Sequence, residues 1–352
     1  MNNDPRSIKD KLLFWYDETH RKLPWRHVGP KKQDPYPIWV SEIMLQQTTV
    51  QTVEPYFLKF MERWPTIESL AEADLDEVLS AWQGLGYYHR AKNLHKTSQV
   101  IAYDRSGVWP ETHDDLITLP GIGEYTSKAI AAIAFQEPVV PVDGNIKRVI
   151  ARLYGLSTPI DRLLKETNAI LKNYEDLKRP GDFAQALMDL GARVCLPKNP
   201  KCSICPIQSF CYAFLNNRVS ELPKLAAKTE KPHRKTRAYV SIAEGSVLLR
   251  RRPNTGLLAH MMEVPTGDWS DINIFNTSSD PEVDAPFKGE WQKLDFTVVH
   301  VFTHFKLEVE VYGLKLSKKI NTPYLWVPIQ ILGEKPLPTL MKKIIMPALE
   351  KI

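Results

Sequence analysis

An all-helical half followed by an α+β half is the architecture this sequence predicts, and three observations carry it. Apolar residues recur at helical spacing from Ile8 to about Phe214, the pattern then lapses into a stretch rich in Pro and Lys, and short alternating runs follow. At 352 residues the chain exceeds a single common core, so two domains are expected. Hydrophobic residues make up 43% and charged residues 25%, with no apolar run of membrane-spanning length and no signal-like segment behind Met1. This composition excludes a membrane protein and points to a reducing, cytoplasmic location.

Taken in order, the helical half is punctuated by Trp64-Pro65, Trp109-Pro110, Leu119-Pro120-Gly121 and Arg179-Pro180-Gly181, each a break between periodic segments. It spans 1–221. A linker over 222–237 carries Pro223, Pro232 and basic residues. The second domain, 238–352, has period-two runs at Ala238–Arg250, Phe296–His300 and Phe305–Leu314, and Met341–Leu349 reads as a terminal helix. Asp268–Asp284, full of Asn, Ser, Asp and Pro, reads as an exposed loop.

The four cysteines, Cys195, Cys202, Cys205 and Cys211, fall in one window with the spacing C-x6-C-x2-C-x5-C. Four thiolates packed so closely can surround one metal centre, whereas a disulfide framework would spread along the chain. Spacing alone leaves an iron–sulfur cluster and zinc both open. It favours the cluster, because zinc usually pairs two C-x2-C knuckles and only Cys202 and Cys205 form one. A module of about 190–215 is expected.

The formal net charge of +5 lies unevenly. Residues 1–194 hold 24 basic and 26 acidic side chains, 195–237 hold 9 and 2, and 238–352 hold 13 and 13. The cationic strip contains Lys224, Lys228, Lys231, Arg234, Lys235 and Arg237; it suggests a polyanion nearby, and a solvated linker is the alternative.

Leu119-Pro120-Gly121-Ile122-Gly123 sits between two helical patterns, where its glycines allow a tight hairpin whose backbone N–H groups approach a phosphate. Val142-Asp143-Gly144-Asn145 opens the next periodic segment, with Asp143 at an N-cap position. Hairpin, aspartate and cysteine cluster occur in the order of the endonuclease III superfamily of helix-hairpin-helix glycosylases. Trp39-Val40-Ser41-Glu42-Ile43-Met44-Leu45-Gln46-Gln47-Thr48 resembles the signature of the adenine DNA glycosylase (MutY) family. Leu23-Pro24-Trp25-Arg26, Gly84-Leu85-Gly86-Tyr87-Tyr88 and Phe183-Ala184-Gln185-Ala186-Leu187-Met188-Asp189-Leu190-Gly191-Ala192 extend the likeness over nearly the whole helical half.

The resemblance implies a [4Fe–4S] cluster on the four cysteines, double-stranded DNA holding adenine opposite 8-oxoguanine or guanine as partner, and a monomer acting in base excision repair. The implied setting is bacterial cytoplasm, nucleoid-associated on DNA. It implies Glu42 as general acid and Asp143 as the carboxylate that stabilises or captures the sugar cation, oriented by Tyr125 and Asn145. Trp25, Arg26 and Gln185 correspond to the adenine pocket. Gln47 and Tyr87 resemble the intercalating pair that fills the gap left by an extruded base, with Thr48 and Leu85 near the opposite base. Tyr125 stands where strand-cleaving relatives carry a lysine nucleophile, so hydrolysis without backbone cleavage is expected. Two alternatives are a mismatch-binding protein without catalysis and a pyrimidine glycosylase/lyase using Lys128.

The second domain resembles the Nudix-like C-terminal domain of the same family, through Gly256-Leu257-Leu258-Ala259 and Glu263-Val264-Pro265. His260-Met261-Met262 departs from the family's Gly-Met-Trp, and no run of metal-binding glutamates follows Pro265, so nucleotide hydrolysis is not expected. Phe302-Thr303-His304 corresponds to the Phe-Ser-His loop that reads 8-oxoguanine, with threonine keeping the hydroxyl.

Overall fold

The computed structural model describes residues 4–174, 178–225, 230–275 and 281–352. Lys228 of the cationic strip and the middle of the 268–284 loop lie outside the described residues. The chain divides into two compact units, one formed by 4–72 with 93–225, the other by 73–92 with 230–352.

The first unit is helical, as its periodicity predicts. Its centre is the helix Pro180–Arg193, whose residues 180 to 191 are all buried, and which packs on the helices Pro5–Thr19, Glu124–Phe135 and Gly144–Tyr154. Phe183, Ala184, Ala186, Leu187 and Leu190 supply its apolar surface, and it buries three polar side chains beside them, Asp182, Gln185 and Asp189. Pro35–Leu45 is apolar on nearly every face, opening on the Asp34 cap with proline at its first turn and burying Ile38 through Met44. Gly144–Tyr154 is instead amphipathic, turning Ile146, Val149, Ile150 and Leu153 into the core shared with Ile8, Leu12, Phe183 and Leu187.

The second unit carries a mixed sheet. Its strands are β1 (His233–Ala243), β2 (Ser246–Arg251), β3 (Met262–Glu263), β4 (Ser270–Asp271), β5 (Gln292–Val301), β6 (Lys306–Leu316) and β7 (Leu325–Pro328). The order is β3-β2-β1-β6-β5, with β4 on β1 and β7 on β2. Strands β1 and β6 run parallel, β5 and β6 antiparallel. The terminal helix Thr339–Leu349 lays Leu340, Met341, Ile344 and Ile345 over Val240, Val309 and Val311.

Two boundaries differ from the sequence reading. His233–Arg237, assigned to a linker, are the first residues of β1. In the parallel register Lys235 faces Glu308 and Arg237 faces Glu310, so the basic run is a charge ladder along a strand pair. Residues 73–92, read as part of the helical half, join the second unit: Arg251 forks onto Asp76 at 2.5 and 2.7 Å, and the Gln83 amide donates to the Lys335 carbonyl at 2.6 Å. The 268–284 loop holds the short strand β4, which pairs Ser270 and Asp271 with Lys235 and Arg234.

Candidate active site and iron–sulfur module

In the first unit a cavity of about 1100 Å³ gathers Trp25, Arg26, Glu42, Gln47, Thr48, Gly121, Gly123, Tyr125, Asp143, Asn145 and Gln185. Four separate helices and three turns bring these residues together. Glu42 hangs from the buried helix Pro35–Leu45 and is 6% exposed. Burial pushes its carboxyl up to about 7, against an opposing hydrogen bond from Tyr125, while the charge of Asp143 raises it further. Tyr125 is held as a neutral phenol well above its ordinary range, mainly by burial.

Asp143 caps the helix Gly144–Tyr154. Its Oδ1 accepts from the Ile146 amide at 2.7 Å and its Oδ2 from the Asn145 side chain at 2.8 Å. The carboxylate therefore sits at a helix N-terminus, where the dipole favours negative charge. From Asn145 the contacts continue: Arg148 donates to the Asn145 Oδ1 at 2.8 Å and to the Cys195 carbonyl at 2.8 Å. Gly191 allows this close packing, because a Cβ there would meet the Asn145 Cβ at 2.7 Å.

Arg26 and Gln185 are 5% exposed at the side chain and 4% overall, and the Gln185 Nε2 has no hydrogen-bond partner among the described residues. A buried donor without a partner calls for one from a ligand. Asp189, fully buried, accepts from Arg26 at 2.7 Å and from Arg21 at 2.7 Å, with the Arg21 amide at 3.1 Å. Trp25 packs edge-on against Phe57.

The hairpin Leu119–Gly123 lies at the same cavity and is tied down by Thr97, whose hydroxyl donates to the Pro120 carbonyl at 2.7 Å. Gly121 has φ +72°, and a Cβ on it would come within 2.5 Å of the Asn93 Cβ. Gly121→Ala is therefore expected to cost about 1–3 kcal/mol of stability through strain and overlap, and to weaken duplex binding. Urea unfolding and fluorescence anisotropy check the pair; a variant matching the parent in both would show that the hairpin tolerates a side chain.

Gln47 and Tyr87 both have φ in the left-handed region, 57° and 48°. Such conformations persist in non-glycine residues where the surroundings over-determine them, which is common at sites of binding. In the second unit the Tyr87 hydroxyl and the Thr303 hydroxyl share a short hydrogen bond. Thr303 and His304 are exposed at the tip of the β5–β6 turn, closed by the Phe302 amide donating to the Phe305 carbonyl at 2.9 Å. Phe302 packs among His300, Trp269 and Phe305, and its carbonyl accepts from Lys231 at 3.1 Å. Leu85, expected near the opposite base, is buried.

The four cysteines follow the Pro180–Arg193 helix on successive turns, each half-buried as a free thiol. Burial pushes Cys205 up to about 12, and the neighbouring thiols add to it. Deprotonating this group therefore needs metal charge. Arg152, 3% exposed, supplies a cation on the protein side, with Nη1 at 3.3 Å from the Cys195 sulfur. Among the described residues no three His, Cys, Asp or Glu are placed to share one metal ion. Cys195, Cys202, Cys205 and Cys211 are the residues that would hold an all-thiolate iron–sulfur cluster. Donor set and charge fit the cluster.

Sequence reasoning missed Asp189, Arg21, Arg148 and Arg152. None of the four carried a local signal: Arg148 and Arg152 stand four apart opposite the Ile146, Val149, Ile150 and Leu153 stripe, where exposure is the default, and only the fold buries them.

Three family models match the chain. Residues 40–173 match the HhH-GPD superfamily base excision DNA repair protein, 195–211 the iron–sulfur binding domain of endonuclease III, and 237–346 the NUDIX domain. The adenine DNA glycosylase of Homo sapiens is 34% identical over 380 residues, covering 92% of this chain and 69% of its own. That of Buchnera aphidicola subsp. Baizongia pistaciae is 40% identical over 254 residues, covering 70% of each. Among solved structures, a thermostable thymine-DNA glycosylase is 30% identical with a TM-score of 0.54, covering 61% of this chain and 98% of that one. A non-covalent endonuclease III–DNA complex, 21% identical with a TM-score of 0.51, shares the fold. The cysteine module carries a [4Fe–4S] cluster, and the partner is DNA. No helix among the described residues is long and apolar enough to cross a membrane. With the hairpin, the cysteine module and the Nudix-like sheet in one chain, and relatives alike along most of its length, this protein belongs to the adenine DNA glycosylase family of base excision repair enzymes that hydrolyse N-glycosidic bonds.

Proposed function

We propose that the enzyme removes adenine mispaired with 8-oxoguanine or guanine, by hydrolysis without strand cleavage, acting as a monomer on chromosomal DNA in bacterial cytoplasm. The observation that carries the chemistry is Glu42, held protonated up to about pH 7 in the same cavity as Asp143.

Adenine leaves poorly as an anion, so a proton must reach its ring nitrogen N7 as the C–N bond breaks. Glu42 supplies that proton. Positive charge then develops on the sugar, and Asp143 stabilises it as an oxocarbenium ion or captures it covalently, as a retaining glycosidase does; water then adds at the anomeric carbon and loses a proton, leaving the base-free sugar. Asn145 keeps the Asp143 carboxylate aimed, and Tyr125 keeps Glu42 oriented through its hydroxyl. Arg26, Trp25 and Gln185 form the base pocket, with the free Gln185 amide available to a purine edge. Such a pocket requires the base to leave the stack. Gln47 and Tyr87 fill the space left behind. Gly121 and Gly123 contact backbone phosphate, and Phe302, Thr303 and His304 read the opposite base with Thr48 and Leu85 nearby. Cys195, Cys202, Cys205 and Cys211 would hold the cluster, which would tie the 195–211 loop together beside Arg148 and Arg152.

Strand cleavage through a lysine is disfavoured by two features. Among the described residues no lysine lines the cavity, and Lys128 is tied to Glu124 at 2.6 Å. Single-turnover incubation with duplexes bearing adenine opposite 8-oxoguanine, guanine or thymine tests the reading. Fastest release opposite 8-oxoguanine, with nicking only after alkali, is expected. Intact adenine in a duplex that the protein demonstrably binds would sink the assignment.

A further inference from the structure

The glycine hairpin is pinned by one side chain that the chemistry above does not use, His113. This residue opens the short helix His113–Leu116 that enters the hairpin, and Glu124–Phe135 is the helix that leaves it. His113 reaches both ends of the second helix. Its amide donates to Glu137, just past the C-terminus, at 2.6 Å. Its ring lies against the first turn, with Nδ1 2.8 Å from the Ser127 hydroxyl and Nε2 3.5 Å from the Glu124 carboxylate. Glu124 lines the same cavity as Gly121, Gly123, Glu42 and Asp143.

Ser127 is fully buried, and its hydroxyl oxygen lies 2.9 Å from the Gly123 carbonyl and 3.1 Å from that of Glu124. The hydroxyl has a single proton to give. A neutral ring protonated on Nε2 takes that proton at Nδ1, and the carbonyls lose it. A neutral ring protonated on Nδ1 turns a lone pair on the Glu124 carboxylate instead. Only the imidazolium donates from both nitrogens, to Ser127 and toward Glu124, which leaves the Ser127 proton for the carbonyl of the hairpin's last glycine.

The ring sits among acids. Glu124 is met by Lys128 at 2.6 Å, and Lys128 ahead of His113 keeps its carboxyl below the usual range against the effect of burial. Glu111 is paired with Lys32 at 2.5 Å, and Asp115 accepts from the Thr112 hydroxyl at 2.6 Å. With Asp114 and Glu137 these make an acidic neighbourhood for a phosphate at the Gly121 and Gly123 amides, and a cation at His113 offsets it.

We propose that His113 is a positioning residue for the DNA strand: as an imidazolium it fixes the Gly123 carbonyl through Ser127 and offsets Glu124, so that duplex binding takes up a proton there. The inference rests on the DNA-binding reading above, and its test reads binding, not excision.

Full-length protein with its cluster carries Glu42→Gln throughout, so that adenine stays in place and Glu42 adds no titration of its own. His113→Asn places an amide where Nδ1 stood and cannot be charged; His113→Phe has neither donor nor charge. Visible absorbance of the cluster confirms that each variant is folded and loaded. Affinity for the 8-oxoguanine duplex is measured by anisotropy at fixed salt from about pH 5 to about pH 8, the range in which an imidazole changes its charge. The advantage of His113 over His113→Asn should grow several-fold as pH falls across that range. At the upper end, His113→Phe should bind more weakly than His113→Asn, because only the bond to Ser127 separates them there. An advantage that does not change with pH, or equal binding by the two variants at the upper end, overturns the proposal. Failure of the protein with His113 intact to bind duplex at any pH would instead defeat the DNA reading.

Discussion

Glu42→Gln is expected to lower the single-turnover rate of adenine release by at least 10²–10⁴-fold, the usual contribution of a general acid, while duplex affinity stays within a few-fold of the parent. Glutamine keeps the shape of the side chain and cannot give up a proton. The parent's rate should fall as pH rises through about 7, where Glu42 ionises. The same shift has a consequence for stability. The folded-state value lies above the ordinary value of 4.5, so the folded protein holds this proton more tightly than the unfolded chain does. Stability is therefore lost as pH rises from about 4.5 to about 7, by roughly 3 kcal/mol in all at 1.36 kcal/mol per pH unit. Glu42→Gln should gain on the parent at pH 8 and not at pH 5, as read by urea unfolding. A variant that excises at the parental rate, or a pH-independent difference in stability, would remove Glu42 from the mechanism.

The second large effect is expected at Asp189. Asp189→Ala should cost about 3–5 kcal/mol, because breaking one partner out of a buried ion pair leaves uncompensated charge behind. Here two arginines are orphaned at once, Arg21 and the nearly inaccessible Arg26. Burial alone would raise the Asp189 carboxyl, yet Arg26 and Arg21 together hold it below the usual carboxylate range. Its stabilising contribution is accordingly present at neutral pH and disappears as pH falls below the ordinary aspartate value. Since Arg26 lines the same cavity as Glu42 and Asp143, excision should fall even at temperatures where the variant stays folded. Chemical denaturation together with single-turnover kinetics measures both. A loss under 1 kcal/mol with unchanged excision would mean that Arg26 is positioned by something other than Asp189.

Linear order made much of the site readable. Glu42 stands in a run of large apolar residues, which predicts a desolvated acid, and the fold buries it to 6% exposure. Asp143 before a periodic segment predicts a cap, and it caps. The Tyr87–Thr303 contact was not readable, because 216 positions separate two hydroxyls whose local sequences specify only a turn each. Asp189 was quoted within a motif without a role, since nothing near it in sequence reveals that Arg21 and Arg26 come to it from 168 and 163 positions away. The start of β1 was misread because alternating basic residues resemble a solvated linker until Glu308 and Glu310 of β6 are set beside them.

What the sequence by itself determined is whatever depends on spacing along one element or within one short loop: the helical half, the four-thiolate module, the glycine hairpin and the apolar setting of Glu42. The tertiary structure alone decided which distant groups share a cavity and which cations are neutralised. The reason is physical. Periodicity and capping are local consequences of backbone geometry, whereas burial and charge pairing arise only when separate elements close on one another, and their energies depend on the partner as much as on the residue.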